Sequence, residues 1–139
     1  MQTETERVLD DFEGRWSIRR DILPQAGAQG RFEGTAEWRR VRNGLDYAEK
    51  GLLCLPDAAP MRAERRYHWA ADLSVYFEDG RFFHRVPAGG GATQHWCAPD
   101  LYTVTYDFTA WPGFTVLWHV HGPRKAYRMR SCFARLDGP

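Results

Sequence analysis

The feature that most constrains this chain is a two-residue alternation of apolar and polar side chains, broken at short intervals by turn dipeptides. Successive side chains on a β-strand point to opposite faces, so the alternation marks strands with one buried and one wet face. From Arg15 to Leu136 the pattern recurs almost without pause. It runs through Arg15–Ile22, Arg31–Arg42, Leu45–Leu53, Met61–Trp69, Leu73–Glu78, Arg81–Val86, Thr93–Cys97, Leu101–Thr109, Phe114–His121 and Lys125–Leu136. Asn43-Gly44 and Asp79-Gly80 are tight hairpin signals, and Trp111-Pro112-Gly113 and Gly122-Pro123 turn the chain again. The count is about nine or ten strands. Only Thr3 to Phe12 reads as helix, with Thr3 and Glu6 spaced for a capping box and Gly14 placed to end it.

With no second helix to cover a sheet, the sheet must close on itself or pack on another. The expected fold is all-β, a closed antiparallel barrel of about eight to ten strands with a short N-terminal helix and room for one small ligand. The 139 residues suit a single domain spanning 1–139.

Composition narrows the function. The formal net charge is +1, and arginines are interleaved with acids, which argues against a nucleic-acid partner. No apolar run is long enough to span a bilayer, and the acidic start lacks a signal-peptide core, so a cytoplasmic protein without a membrane partner is expected. The three cysteines, Cys54, Cys97 and Cys132, have no framework spacing and are expected to be reduced.

Met61–Trp69 poses the functional question. Met61, Ala63, Arg65, Tyr67 and Trp69 share its apolar face, so an arginine stands in the middle of that face. An arginine keeps its proton, and burying it demands a partner. Taking each apolar face as inward adds Arg20, Glu49, His84 and Lys125, with Tyr47, Tyr67, Tyr102, Tyr106 and Tyr127. Glu49 and Arg65 fall mid-strand on consecutive strands, where an antiparallel register can set them opposite each other as a bidentate pair. Such a pair is either a structural bridge or leaves Arg65 a donor for a ligand. Three inward cations against one inward acid favour an anionic head group. The candidate ligand-binding set is Glu49, Arg65, Tyr67, His84, His95, Tyr102, Tyr106, Lys125 and Tyr127, with no cofactor and no metal assigned.

His84 reads either as a neutral histidine bonded to a tyrosine or as a general base or metal or haem ligand. His95-x-Cys97 supplies two soft ligands on one strand face, and with His84 makes a conceivable metal set. His119-x-His121 falls on the outward face. No nucleophile elbow, phosphate loop or dinucleotide fingerprint is present, so no catalytic residue is assigned.

Gly14-Arg15-Trp16, at the head of the first strand, resembles the Gly-x-Trp motif of lipocalins and related calycin barrels. The resemblance implies an arginine from the end of the last strand over that tryptophan, and Arg135 stands there. Across most of its length the chain resembles a family of short bacterial proteins of unknown function. The residues that carry this are Phe12-Glu13-Gly14-Arg15-Trp16, Tyr47-x-Glu49-x-Gly51, Arg65-x-Tyr67-x-Trp69, Phe77-x-Asp79-Gly80-Arg81-x-Phe83-His84, His95-x-Cys97-x-x-Asp100-x-Tyr102 and Trp118-x-Val120-x-Gly122-Pro123-x-Lys125-x-Tyr127. It implies a single-domain barrel and one constellation of Glu49, Arg65, His84, His95, Cys97, Lys125 and Tyr127.

Four functions stay open at this point. The first is a barrel that binds a small amphipathic or aromatic molecule by an anionic head near Arg65 and Lys125. The second is a small enzyme using His84 or His95 with Glu49 and tyrosines for acid/base chemistry. The third is a metal or haem barrel, and the fourth a homodimer joined through exposed Trp96 and Trp111.

Overall fold

The computed structural model describes residues 5–136. The strands are β1 (Gly14–Pro24), β2 (Gly30–Val41), β3 (Gly44–Cys54), β4 (Met61–Trp69), β5 (Ser74–Phe77), β6 (Phe82–Arg85), β7 (Gly91–Cys97), β8 (Asp100–Asp107), β9 (Phe114–His121) and β10 (Ala126–Arg135). They form one antiparallel sheet in the order β6-β5-β4-β3-β2-β1-β10-β9-β8-β7. The first and last strands pair in its middle, from Trp16 opposite Arg135 to Pro24 opposite Tyr127. The sheet rolls into a nearly closed barrel. Its two edges, β6 and β7, meet without a backbone ladder, and side chains bridge them: the Phe83 and His95 ring centroids lie 5.3 Å apart. No helix among the described residues is long and apolar enough to cross a membrane.

The expected alternation is clearest on β2, where Phe32, Ala36 and Trp38 are buried while Arg31, Glu33, Glu37 and Arg39 face water. It fails on β6. Strict alternation with His84 inward places Phe82 inside as well, yet Phe82 is 50% exposed, whereas Phe83 is 1% exposed beside a buried His84. The cause is a register shift between Val75 and Tyr76, which sets His84 opposite Val75 but Phe82 opposite Tyr76. A bulge of this kind breaks the two-residue period, so both Phe83 and His84 turn inward.

The N-terminal helix is also corrected. The described part is a 3-10 turn, Leu9–Phe12, in which the Val8 amide donates to the Asp11 carboxylate at 2.9 Å; the proposed Thr3 cap lies outside the described residues. A segment this short gains too few helical bonds to offset its ordering. Its use is to deliver Phe12, fully buried, into the barrel base. There the Phe12 ring packs among Trp69, Trp111 and Phe114 at centroid distances of 5.1, 5.3 and 5.6 Å. The indole of Trp16 donates to the Phe12 carbonyl at 2.9 Å. Arg135 lies 4.3 Å over the Trp16 ring and donates to the carbonyls of Glu13 and Asp11 at 2.7 and 2.8 Å. This end of the barrel is therefore sealed.

Gly34 and Gly51 stand opposite each other in the β2–β3 pair. A Cβ on Gly34 would sit 2.6 Å from the Gly51 Cα and closer still to the Lys50 carbonyl oxygen. Both obstacles are backbone and cannot rotate away. Gly34→Ala is therefore expected to lower stability by about 1–3 kcal/mol, the usual cost of overpacking, read as a lower urea midpoint with the m-value kept.

Candidate functional site

Glu49 sits on β3 with its side chain 2% exposed, inside the barrel. Its backbone partner across the β3–β4 ladder is Arg65, as expected, yet the guanidinium that reaches it belongs to Arg20 on β1. Arg20 donates to both Glu49 oxygens, at 2.6 and 3.0 Å, and through Nε to the Ser131 hydroxyl at 2.7 Å. The Tyr47 hydroxyl adds a 2.5 Å bond to Glu49. The expected Arg65–Glu49 pair is thus replaced by Arg20–Glu49. Between β1 and β3 the inward residues of β2 include Gly34 and Ala36, small enough for a long arginine side chain to cross. Burial pulls the Arg20 pKa down, but the hydrogen bond and charge of Glu49 outweigh it and the net shift is upward. Burial, with the Glu49 charge behind it, pushes Tyr47 well above the ordinary tyrosine range, so it stays a donor. The group is closed: one cation, one anion, and hydroxyls on what is left.

Beside this bridge lies a cavity of about 50 Å3, lined among others by Glu49, Tyr67, Phe83, His84, Tyr106 and Trp118. A cavity of about 150 Å3 takes up benzene, and this one, at about a third of that size, suits a few waters. Most of the room expected inside the barrel is filled by rings. His84 Nε2 lies 2.8 Å from the Tyr106 hydroxyl, while its Nδ1 is buried with no hydrogen-bond partner among the described residues. Burial, helped slightly by His95, pushes the His84 pKa down to about 3. Burial also raises that of Tyr106. This is the neutral histidine bonded to a tyrosine, and a weak base at neutral pH.

Toward the other end the barrel opens. Along β4 exposure rises from Trp69 at 5% to Met61 at 46%, with Tyr67 and Arg65 half-buried between them. The Arg65 guanidinium lies 5.4 Å from the centroid of the Trp118 ring. It makes no ion pair with any acid among the described residues. Tyr102 and Trp118 meet at 6.1 Å, edge to face. Tyr127 is half-buried; burial and Tyr102 raise its pKa, opposed by the charges of Arg65 and Lys125. His95 is half-buried between Phe83 and Tyr102, its pKa lowered by burial and then by Arg81.

The candidate set therefore splits by depth. Glu49, His84 and Tyr106 belong to the closed interior. Arg65, Tyr67, His95, Tyr102 and Tyr127 ring the open end. Lys125 leaves the set. It precedes β10 in a turn, its side chain is 56% exposed, and its ammonium lies 3.7 Å from Asp100 rather than in the barrel. Its strand was expected to begin there, but Gly122 and Pro123 delay the pairing to Ala126. The metal set does not assemble. Cys97 is exposed at the end of edge strand β7, and no cluster of three or more His, Cys, Asp or Glu able to hold a metal is found among the described residues. His119 and His121 lie on the outer face with ring centroids 3.8 Å apart. Phe83, Trp118 and Ser131 line the cavity and lie outside the candidate set. Trp118 and Ser131 were legible from their inward faces, and Phe83 was hidden by the bulge.

A ten-stranded antiparallel barrel, plugged at its base by an aromatic residue and locked by a last-strand arginine over the first-strand tryptophan, defines a lipocalin-like, calycin-type fold. The S-type phycobiliprotein lyase from Guillardia theta shares it with a TM-score of 0.64 over 94% of this chain and 92% of that one, at 7% identity, a likeness of fold alone. The chain belongs to the DUF6314 family, a family of unknown function, whose pattern covers residues 12–135. No curated protein matches the sequence.

Proposed function

We propose that this barrel binds a small amphipathic molecule whose anionic head group sits at Arg65. The observation that carries the reading is the state of Arg65: a half-buried guanidinium on the inner face of β4, over Trp118, with no carboxylate among the described residues to neutralise it. The other inward arginine, Arg20, is already satisfied by Glu49 and Ser131. A carboxylate or sulfonate offers the planar, charged acceptor that a guanidinium binds best. The hydroxyls of Tyr102 and Tyr127 stand in the same open end as further donors. The shared fold with a phycobiliprotein lyase agrees with a ligand-handling barrel. Acid/base catalysis is less well supported, because Glu49 is neutralised by Arg20 and His84 is held neutral.

The test is Arg65→Met with dodecanoate and 2-naphthoate as probes, titrated by calorimetry. A charge-assisted contact contributes about 1.5–3 kcal/mol, so affinity is expected to fall by about one to two orders of magnitude. Urea stability should stay within about 0.5 kcal/mol, because Arg65 gives up no ion pair with any acid among the described residues and methionine keeps an apolar stem over Trp118. Unchanged affinity in the variant would overturn the proposal.

A further inference from the structure

We infer that the ligand is a flat aromatic or conjugated anion, and that its ring system lies between the β5–β6 hairpin and the β8–β9 wall, against Phe83 and Trp118, after parting the β6–β7 seam. The inference rests on the anion-binding reading of Arg65.

Three observations carry it. The first is size. A cavity of about 50 Å3 cannot hold the body of an amphipathic molecule, so a ring system that enters the interior from Arg65 has to displace part of the wall. The second is which part. Every strand boundary from β6 round to β7 is a hydrogen-bonded ladder, among them the β2–β3 and β3–β4 pairs. The seam between β6 and β7 has none. The β5–β6 hairpin has strands of four residues each, and it is joined to β4 through three residue pairs, Tyr67–Phe77, His68–Tyr76 and Trp69–Val75. Moving it outward breaks ring contacts and the hydrogen bond between His84 and Tyr106, and leaves the long ladders intact. The hairpin also supplies Val75, Phe83 and His84 to the cavity lining, so its displacement enlarges that cavity directly.

The third observation is the chemistry of the surfaces that would part. On the hairpin, Phe77 and Phe83 are stacked at 4.7 Å with 17° between their planes. Facing them, His95, Tyr102 and Trp118 meet the Phe83 ring edge to face at 5.3, 6.1 and 5.2 Å. A flat ring inserted here exchanges edge contacts for face contacts on both sides, whereas a puckered body of the same carbon count cannot stack. Arg65 lies over Trp118, so a ring lodged against that indole carries its acidic substituent to the guanidinium.

The experiment compares 2-naphthoate with decahydro-2-naphthoate, which share charge and carbon skeleton but differ in flatness. The wild-type protein is expected to bind the flat acid about two- to tenfold more tightly, the range of aromatic pair preferences. Phe83→Leu is expected to erase the preference while Arg65→Met weakens both acids alike. Hydrogen exchange on the wild-type protein gives an independent readout. Amides of β6 and β7 should exchange faster than those of the β1–β10 ladder, and saturation with 2-naphthoate should slow them. Equal binding of the two acids, a preference that survives Phe83→Leu, or protection confined to other strands overturns this inference. Equal binding that still depends on Arg65 leaves the anion reading standing, and failure of both acids to bind overturns both.

Discussion

Arg20→Met is expected to destabilise the fold by about 3–5 kcal/mol, the usual cost of stranding one member of a buried ion pair. Glu49 would keep a hydrogen bond from Tyr47 but lose two from the guanidinium, in a site where its side chain is 2% exposed. A loss of this size takes away a large part of the roughly 5–15 kcal/mol that holds a domain folded. Urea denaturation of the single variant, and of Arg20→Met combined with Glu49→Leu, separates two contributions. The double variant should recover much of the loss, because replacing both charges removes the desolvation cost along with the attraction. Arg65 makes the outcome informative in a second way. It faces Glu49 across the β3–β4 ladder, so with Arg20 gone it has a route inward. Were Arg20→Met to cost less than about 1 kcal/mol, substitution by Arg65 would be the explanation to examine. Adding Arg65→Met would then be strongly destabilising in the Arg20→Met background and nearly silent in the wild type.

The second large effect is pH dependence through His84. Its folded pKa is about 3 against an ordinary 6.5, because burial penalises the imidazolium. Between these values the unfolded chain binds a proton that the folded protein refuses. Stability therefore rises with pH across this window, is fully present above pH 6.5, and is lost as pH falls toward 3. At pH 4.5 the loss through this one group is about 2–3 kcal/mol. His84→Gln removes the titration while leaving a hydrogen-bonding group for the Tyr106 hydroxyl. The variant should be less stable than the wild type at neutral pH and should show a shallower decline in acid. The difference between the two stability curves, measured by urea titration from pH 7 to 4, isolates His84 from the carboxylates both proteins share. Parallel curves would show that the histidine titrates normally and that its surroundings are wetter than its 3% exposure suggests.

What could be read from the sequence follows from what two-residue periodicity reports. It reports which face a residue takes and which strand follows which. Met61–Trp69 and Phe114–His121 match β4 and β9 end for end, and the predicted opposition of Glu49 and Arg65 is the observed register. Arg135 over Trp16 was implied by the resemblance of Gly14-Arg15-Trp16 to calycin barrels, and the two do stack where the first strand pairs with the last. Periodicity is silent on reach. Whether a seven-atom arginine side chain crosses a neighbouring strand depends on that strand's side chains, so Glu49 was matched to its backbone neighbour and not to Arg20. It is silent on irregularity too, which is why the bulge beside Tyr76 concealed Phe83. Nor does it measure volume. Fourteen per cent aromatic residues reads as a lining for a cavity, while in three dimensions many of those rings meet and fill it.

The strand order has a consequence for how such a barrel comes together. β1 to β6 form one meander and β7 to β10 another, each built from neighbours in the chain. The two are joined by pairing β1 with β10, where Trp16 finds Arg135 across nearly the whole chain. That contact is the entropically expensive step, since the loop it closes spans almost every residue, and it sets a slow pace for assembly relative to helical proteins of this size. Once it forms, the remaining margins, β6 and β7, are carried into proximity by the curvature of a sheet already complete. The molecule is in this sense zipped on one side and lapped on the other, and its most easily reopened join is the one that assembly never had to bond.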